Sequence, residues 1–182
     1  MTDPTPSLPT IAIDSGADAV DLELFRSLVA TIEYGMLATH AADGTLVARP
    51  LQTMQVDDNG ALWFFTARGS EKVAHIARDP RVNLSYADIA AKTFASIEGT
   101  ATVLSDPTKA AELWRVAQRI FFPLGPEDPT LALLRIEPRI VRTWDGNESP
   151  FGTAQKFASA LLRGEASDLG DCRKLDVGPS RT

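Results

Sequence analysis

The chain has 182 residues, enough for one domain with its own core, and 44% hydrophobic with 23% charged residues is typical of a globular protein. Its net charge of −6 argues against nucleic acid or an anionic membrane surface as a partner. The single cysteine, Cys172, excludes an internal disulfide and a cysteine-based metal site, and it indicates a reducing compartment such as the cytoplasm.

The N-terminal region combines a polar arm with a helix. Residues 1–18 hold prolines among Thr, Ser and Asp, which predicts a flexible arm. They show no basic segment followed by an apolar core, so we expect no signal peptide. No apolar run in the sequence approaches 18 residues, so we expect no membrane span. From Val20, apolar residues recur at spacings of three and four, which predicts a helix that ends at Gly35.

A β-meander follows that helix. Three apolar or alternating stretches, "GMLATH", "TLVARPLQTMQV" and "ALWFFTA", predict antiparallel strands. The turns between them are indicated by Asp43-Gly44 and Asn59-Gly60, both strong hairpin signals. Residues 70–78 then predict a short helix, stopped by the Asp-Pro pair that follows it.

The second half repeats the mixture of strands and short helices. Strands are predicted for "RVNLSYAD" and "KTFASIEGTATVLSD". Asp106 and Pro107 begin a helix that runs past Trp114. The stretch "TLALLRIEPRIVRTWDG" is either a last strand pair or one strand kinked at Pro138. A C-terminal helix, "GTAQKFASALLRG", ends at Gly164.

These elements predict a mainly β protein with peripheral helices. Antiparallel strands that close on themselves avoid exposed edges, so a small six-stranded barrel is the expected fold. We divide the chain into an arm over residues 1–18, a barrel domain over 19–150, and a C-terminal helix and tail over 151–182 packed on the barrel.

One strand-to-helix corner gathers polar side chains. The join between "ALWFFTA" and the helix of residues 70–78 holds Thr66, Arg68, Gly69, Ser70 and Lys72. Backbone N–H groups and the helix dipole make such a corner an anion site, for which phosphate is the usual ligand. The alternative is that Ser70 only caps the helix and Lys72 is a solvated surface residue.

A further cation, Arg49, lies in the second predicted strand. It alternates with Val47, Leu51 and Thr53, so it shares a face with mostly apolar neighbours and needs an acceptor. The adjacent Pro50 indicates a place where strand pairing is interrupted. Hairpin pairing would bring Arg49 near the corner, whereas a structural ion pair with Asp or Glu is the alternative.

The order of these segments resembles a known family. The helix, "GMLATH", "GTLVARP", "LWFFTARGSEKVAHIARDPRVNLSY" and "ASIEGTATVLSD" are similar to the FMN-binding split-barrel proteins of the pyridoxamine 5′-phosphate oxidase-like superfamily. The stretch "LWRVAQRIFFPLGPEDPTLALLRIEPRIVRTWDG" narrows the resemblance to the bacterial general stress protein branch. It covers roughly residues 20 to 177. The resemblance implies a flavoprotein, with FMN as the cofactor and FAD left open.

The resemblance also implies which residues would contact the flavin. Arg49 would reach the FMN phosphate or the polar edge of the isoalloxazine. Phe65 and Thr66 would follow the ring and the ribityl chain, and Ser70 and Lys72 would hold the phosphate. The family forms homodimers with two flavin sites at the subunit interface, so a homodimer is expected.

The resemblance implies further flavin contacts, for which the sequence patterns are less specific. Thr53 shares the face of Arg49 and is an additional candidate. Trp114, or the pair Phe121 and Phe122, would come from the other subunit to cover the ring, and Trp144 is a similar candidate. For Trp114 the alternative is a core or dimer contact, because it lies at helical spacing among apolar residues.

The reaction stays open at the level of sequence. Glu71 stands where the true oxidases carry a second basic residue. Those enzymes also end in a segment with Arg and His that holds the pyridoxal substrate, whereas no histidine follows His75 here. Pyridoxamine phosphate oxidation is therefore not expected. Flavin chemistry fits a hydride or electron carrier, and it fits a non-catalytic flavin store or sensor equally well. Relatives of this fold also bind deazaflavin F420 or haem, for which His40 and His75 are the available axial ligands. A barrel scaffold without a cofactor is the remaining alternative.

Overall fold

The computed structural model describes residues 19–145 and 171–176, with side chains described from residue 25 to residue 144. Its elements, in chain order, are α1 (Ala19–Ile32), β1 (Tyr34–His40), β2 (Leu46–Val56), β3 (Leu62–Ala67), α2 (Glu71–Arg78), β4 (Arg81–Asp88), β5 (Thr93–Leu104), α3 (Pro107–Leu113), 3₁₀ turns at Val116–Ile120 and Gly125–Glu127, β6 (Leu131–Asp145) and β7 (Asp171–Asp176). The predicted arm and the helix ending at Gly164 lie outside the described residues.

The strands form one antiparallel barrel. Their order is β3-β2-β1-β4-β5-β6-β7, and a further pairing between β3 and β6 closes the first six strands into a ring. The prediction of a six-stranded antiparallel split barrel is therefore confirmed. The added strand, β7, pairs with the second half of β6 from Ile140 to Asp145. Sequence analysis gave this stretch no strand, because "DCRKLD" has no apolar alternation and depends on β6 for its pairing.

The last long strand is continuous through its proline. β6 runs from Leu131 to Asp145, and the ladder with β5 shifts register between Glu98 and Gly99, opposite Pro138. A Cβ at Gly99 would lie 2.4 Å from the carbonyl oxygen of Glu137, so only glycine allows this close approach. Of the two sequence interpretations, one kinked strand is therefore confirmed.

The first helix ends earlier than predicted. It stops at Ile32, and Glu33 takes the left-handed conformation with φ of 56°. Gly35 is not the helix end; it lies in β1, where a Cβ would come within 2.8 Å of Leu84 and 2.9 Å of Tyr86. Tertiary packing of the barrel, rather than helix termination, therefore explains this glycine.

Two hydrophobic clusters organise the fold. The barrel interior is filled by fully buried side chains from five strands: Leu37, Phe64, Leu84, Ile97 and Leu134. The helices add further buried side chains, Phe25 and Val29 from α1 and Ile76 from α2. The second cluster lies on the other face of β3 and β6, under α3: Trp63, Phe65, Leu113, Phe122 and Leu133. Because α1 precedes β1 and α2 follows β3, the antiparallel register puts α1 and α2 at opposite ends of the barrel.

Candidate functional site

Lys72 lies against two hydroxyl groups at the start of α2. Its Nζ donates to Thr66 Oγ1 at 3.1 Å and to Ser70 Oγ at 3.2 Å, and the two hydroxyl oxygens are 3.3 Å apart. Ser70 occupies the N-cap position of the helix, but its side chain forms no capping hydrogen bond. The Ser70 side chain therefore does not cap α2, and Lys72 is half-buried instead of fully solvated.

Arg49 points from the inner face of β2 toward the same end of the barrel. It is half-buried, and its Nη1 donates to Thr39 Oγ1 at 2.6 Å. Among the residues whose side chains are described, Arg49 has no carboxylate within ion-pair distance. The structural ion pair that sequence analysis left open is thus absent from that part of the chain.

The two cations lie close enough to affect each other. Burial lowers the pKa of Lys72, and the charge of Arg49 lowers it further. Burial also lowers the pKa of Arg49, while the exposed carboxylate of Glu71 acts in the opposite direction. Two partly desolvated like charges without a paired carboxylate are unfavourable unless an anion lies between or beside them.

The helix start supplies further donors for an anion. The first backbone N–H groups of α2 have no acceptor within the helix, and the dipole adds partial positive charge there. Lys72 uses the oxygens of Thr66 and Ser70 as acceptors, and one of these hydroxyls donates to the other, so one hydroxyl hydrogen is left to donate to a ligand. Arg49, Thr66, Ser70 and Lys72 thus form a cationic corner whose donors fit a phosphate group such as that of FMN.

Sequence analysis missed Thr39, which contacts the corner, and gave His75 no flavin contact. Thr39 is fully buried, and its Oγ1 lies between Arg49 Nη1 and His75 Nδ1, the latter at 3.0 Å. The available signal was the alternation of β1, which puts Gly35, Leu37 and Thr39 on the inward face. A polar side chain at a core-facing position requires a hydrogen-bond partner, and that requirement could have indicated Thr39.

Arg68 does not contribute its side chain to the cationic corner. Its guanidinium donates to the carbonyls of Pro129 and Leu131 at 3.3 and 3.0 Å and to Ser105 Oγ at 3.1 Å. Its backbone N–H donates to the carbonyl of Thr130. Arg68 therefore ties the end of β3 to the loop before β6, and it lines a separate cavity of about 380 Å³.

Thr53 lies away from the cationic corner. It is buried near α1, where its Oγ1 is 2.6 Å from the Tyr86 hydroxyl and its N–H donates to the carbonyl of Glu33. Burial raises the pKa of Tyr86, so this hydroxyl stays protonated. The structure does not bring Thr53 to Arg49, although both face inward on β2, because they are four positions apart along an extended strand.

The aromatic candidates gather on the opposite face of β3. The Phe65 ring centroid lies 5.8 Å from that of Trp114 and 6.3 Å from that of Phe122. Trp114 follows α3 instead of lying within it, because the helix ends at Leu113. Phe121 is 70% exposed. Within one chain, Phe65 and Trp114 therefore point away from the face that carries Thr66.

Trp144 lies near the end of β6, opposite Phe94 of β5, and is half-buried.

In the parts of the chain that the structure describes, no helix has both the length and the apolar composition of a membrane span. Over the same residues, no group of three His, Cys, Asp or Glu side chains is placed to hold a metal ion.

Comparisons with known proteins give the family. A family model described as "Pyridoxamine 5′-phosphate oxidase like" matches residues 21–168. Protein bli-3 of Neurospora crassa is 20% identical, over 82% of this chain and 76% of its own length.

Solved structures show the same fold. The general stress FMN/FAD binding protein from Xanthomonas citri is 27% identical, with a TM-score of 0.60 over 70% of this chain and 89% of that one. A putative general stress protein 26 from Jannaschia sp. CCS1 is 24% identical, with a TM-score of 0.64 over 86% and 99% of the two chains. A pyridoxamine 5′-phosphate oxidase-related, FMN-binding protein from Nostoc punctiforme is 20% identical, with a TM-score of 0.60 over 93% and 99%. From the match over residues 21–168, this chain belongs to the pyridoxamine 5′-phosphate oxidase-like family.

Proposed function

We propose that this protein binds FMN and holds the FMN phosphate at the cationic corner. The observation that carries the proposal is the pair of half-buried cations, Arg49 and Lys72, near two hydroxyls at a helix start. Neither cation has a carboxylate partner among the side chains that the structure describes. The phosphate of FMN is mostly a dianion at neutral pH and would neutralise both charges. The names of the Xanthomonas and Nostoc proteins, which include FMN, support the same ligand.

Each residue of the corner has a separate task in this proposal. Lys72 and Arg49 supply charge, Thr66 and Ser70 together supply one hydroxyl hydrogen, and the backbone at the end of β3 lies along the ribityl chain. Glu71 is exposed beside them and reduces the net positive charge of the corner. FAD, whose phosphates carry one charge each, remains the alternative flavin.

We also propose a homodimer with the flavin at its interface. The outer faces of β1 and β2 expose apolar side chains: Tyr34 is 56% exposed, Met36 is 45% and Leu46 is 66%. Pro50 lies opposite Met36 and is exposed on the same face. An apolar sheet face of this kind is typical of a protein–protein contact. The exposed ring of Phe121 is available to cover a flavin bound to a second copy.

The dimer is tested by charge placed on this face. Met36→Glu should convert a dimer to a monomer in light scattering after gel filtration, because it puts a carboxylate in an apolar contact. Ile89→Glu, at another side chain with 75% exposure, is the matched control. A wild-type protein that elutes as a monomer at micromolar concentration would contradict the dimer.

The chemistry proposed for the bound flavin is hydride or electron transfer, which the flavin supplies and the protein orients. A non-catalytic flavin store or sensor is the competing proposal. Steady oxidation of NADH or NADPH with an electron acceptor favours hydride or electron transfer, and stable flavin binding without turnover favours the store or sensor.

Pyridoxamine phosphate oxidation is not proposed. A cytoplasmic location, indicated by the single cysteine, belongs to the same set of proposals.

An absorption spectrum tests FMN binding directly. We expect the purified protein to retain flavin bands after incubation with FMN and gel filtration. The double variant Arg49→Ala/Lys72→Ala should lose them, whereas Lys109→Ala/Arg135→Ala, which removes two cations elsewhere, should keep them. A wild-type protein that releases all added FMN would remove the proposal and direct the search to F420, haem or a protein partner.

A further inference from the structure

We propose that Thr39 and His75 are positioning residues that hold Arg49 for a phosphate-bearing ligand. The inference rests on the proposed FMN site and adds the residues that make it selective for phosphate. Thr39 is 0% exposed and joins β1 to both neighbours: its Oγ1 is 2.6 Å from Arg49 Nη1 and 3.0 Å from His75 Nδ1. The three side chains come from β2, β1 and α2, so the connection exists only in the folded barrel.

Hydrogen-bond chemistry sets the direction of this connection. A guanidinium only donates, so Thr39 Oγ1 accepts from Arg49. The Thr39 hydroxyl then has one hydrogen, and in a fully buried position that hydrogen needs an acceptor. Nδ1 of His75 lies within hydrogen-bond distance to accept it, which assigns the His75 proton to Nε2. The order of donation is Arg49 to Thr39 to His75, and the Thr39 hydroxyl is satisfied both as acceptor and as donor.

The hydrogen bond from Arg49 to Thr39 matters because the Arg49 side chain is long and its positive charge is repelled by that of Lys72. Burial lowers the pKa of Lys72, and the nearby charge of Arg49 lowers it further. The guanidinium and the ammonium repel each other, so they would move apart without an anchor. The bond to Thr39 fixes one nitrogen of Arg49 and leaves its other N–H groups to donate to an anion. Loss of the anchor should therefore weaken binding of a phosphate group, and only of that group.

The test compares FMN with riboflavin, which lacks the phosphate. Thr39→Val keeps the side-chain shape and removes the hydroxyl, whereas Thr39→Ser keeps the hydroxyl. We expect Thr39→Val to lower the ratio of FMN to riboflavin affinity by about 5- to 10-fold, the size of one ordinary net hydrogen bond, because Thr39 acts on the phosphate only through Arg49. Thr39→Ser should return the ratio to within about twofold of wild type. Fluorescence quenching of each flavin gives both dissociation constants.

A second pair of variants tests the far end of the connection. His75 is only partly buried on a short helix, so its replacement is less disruptive than a change in the core. His75→Asn keeps an acceptor near the position of Nδ1, whereas His75→Leu removes it. We expect His75→Leu to lower the affinity ratio by about 2- to 4-fold and His75→Asn to retain it. This pair decides the matter if Thr39→Val does not fold.

The outcomes separate this inference from the proposed function. If wild type binds FMN and neither Thr39→Val nor His75→Leu changes the affinity ratio, the positioning role is overturned and FMN binding stands. Equal weakening of FMN and riboflavin also overturns it, because that result reports a structural role. A wild-type protein that binds neither flavin overturns both proposals.

Discussion

Two pairs of cations in this molecule have different surroundings. Lys109 and Arg135 lie over the ring of Trp63, with the Lys109 Nζ and the Arg135 Cζ 5.3 and 5.7 Å from its centroid. Each also has a carboxylate: Lys109 pairs with Glu112 at 2.7 Å, and Arg135 pairs with Glu137. Arg49 and Lys72 have hydroxyl oxygens as side-chain partners and no paired carboxylate among the described side chains.

The difference separates cations that stabilise the fold from cations that are suited to a ligand. The charges beside Trp63 are neutralised within the protein, so nothing further is required for them. At the cationic corner, burial and mutual repulsion both act against the charged forms, and both lower the pKa of Lys72. Such an arrangement costs stability without a ligand, and it persists in proteins where binding needs it.

The largest expected effect is at Lys72. Lys72→Ala should weaken FMN binding by about 1.5–3 kcal/mol, roughly 10- to 150-fold, because a charge-assisted contact to the phosphate is lost. Riboflavin affinity should change little. Lys109→Ala is the matched control and should leave both affinities unchanged. Equal losses for FMN and riboflavin in a titration would show that Lys72 does not contact the phosphate.

A smaller effect is expected in the pH dependence of stability without ligand. The folded state lowers the pKa of Lys72 below its ordinary value of 10.5, so the unfolded chain binds more protons in the pH range just under that value. The contribution of Lys72 to the free energy of unfolding should therefore increase as pH rises toward 10.5. FMN affinity should fall over the same range, since a neutral lysine loses its attraction for phosphate.

Denaturant titrations between pH 7 and 10 measure this contribution. Lys72→Met should lack the rise that Lys72 contributes, and Lys109→Met should retain it. Lys109 pairs with Glu112, whereas Lys72 lies near Arg49, which has no carboxylate partner among the described side chains. Identical pH profiles for wild type and Lys72→Met would contradict the electrostatic account of the corner.

The smallest effects are expected beside Trp63. Lys109→Met and Arg135→Met should each change the free energy of unfolding by less than about 1 kcal/mol, since exposed ion pairs and cation–π contacts contribute at that level. Neither variant should alter the ratio of FMN to riboflavin affinity. A change in that ratio would mean that ligand binding extends to the second hydrophobic cluster, and the contrast between the two cation pairs would fail.

The local features of this protein follow from short stretches of its sequence. The hairpin turns at Asp43-Gly44 and Asn59-Gly60, the alternation of the strands and the corner with Ser70 and Lys72 all depend on residues close together in the chain. These patterns were sufficient for the strand order of the meander. They failed where a residue serves a distant neighbour, as with Gly35, which packs against β4 and does not end a helix.

Which polar groups meet depends on how the strands and helices pack together. This packing turned Arg68 toward the loop before β6, placed Thr53 beside Tyr86, and put Thr39 between Arg49 and His75. Whether a cation has a nearby carboxylate depends on side chains from several strands and helices, so it cannot be predicted from a short stretch of sequence. The sequence thus indicated an anion site at one corner, and the folded barrel determined the positions of its donors.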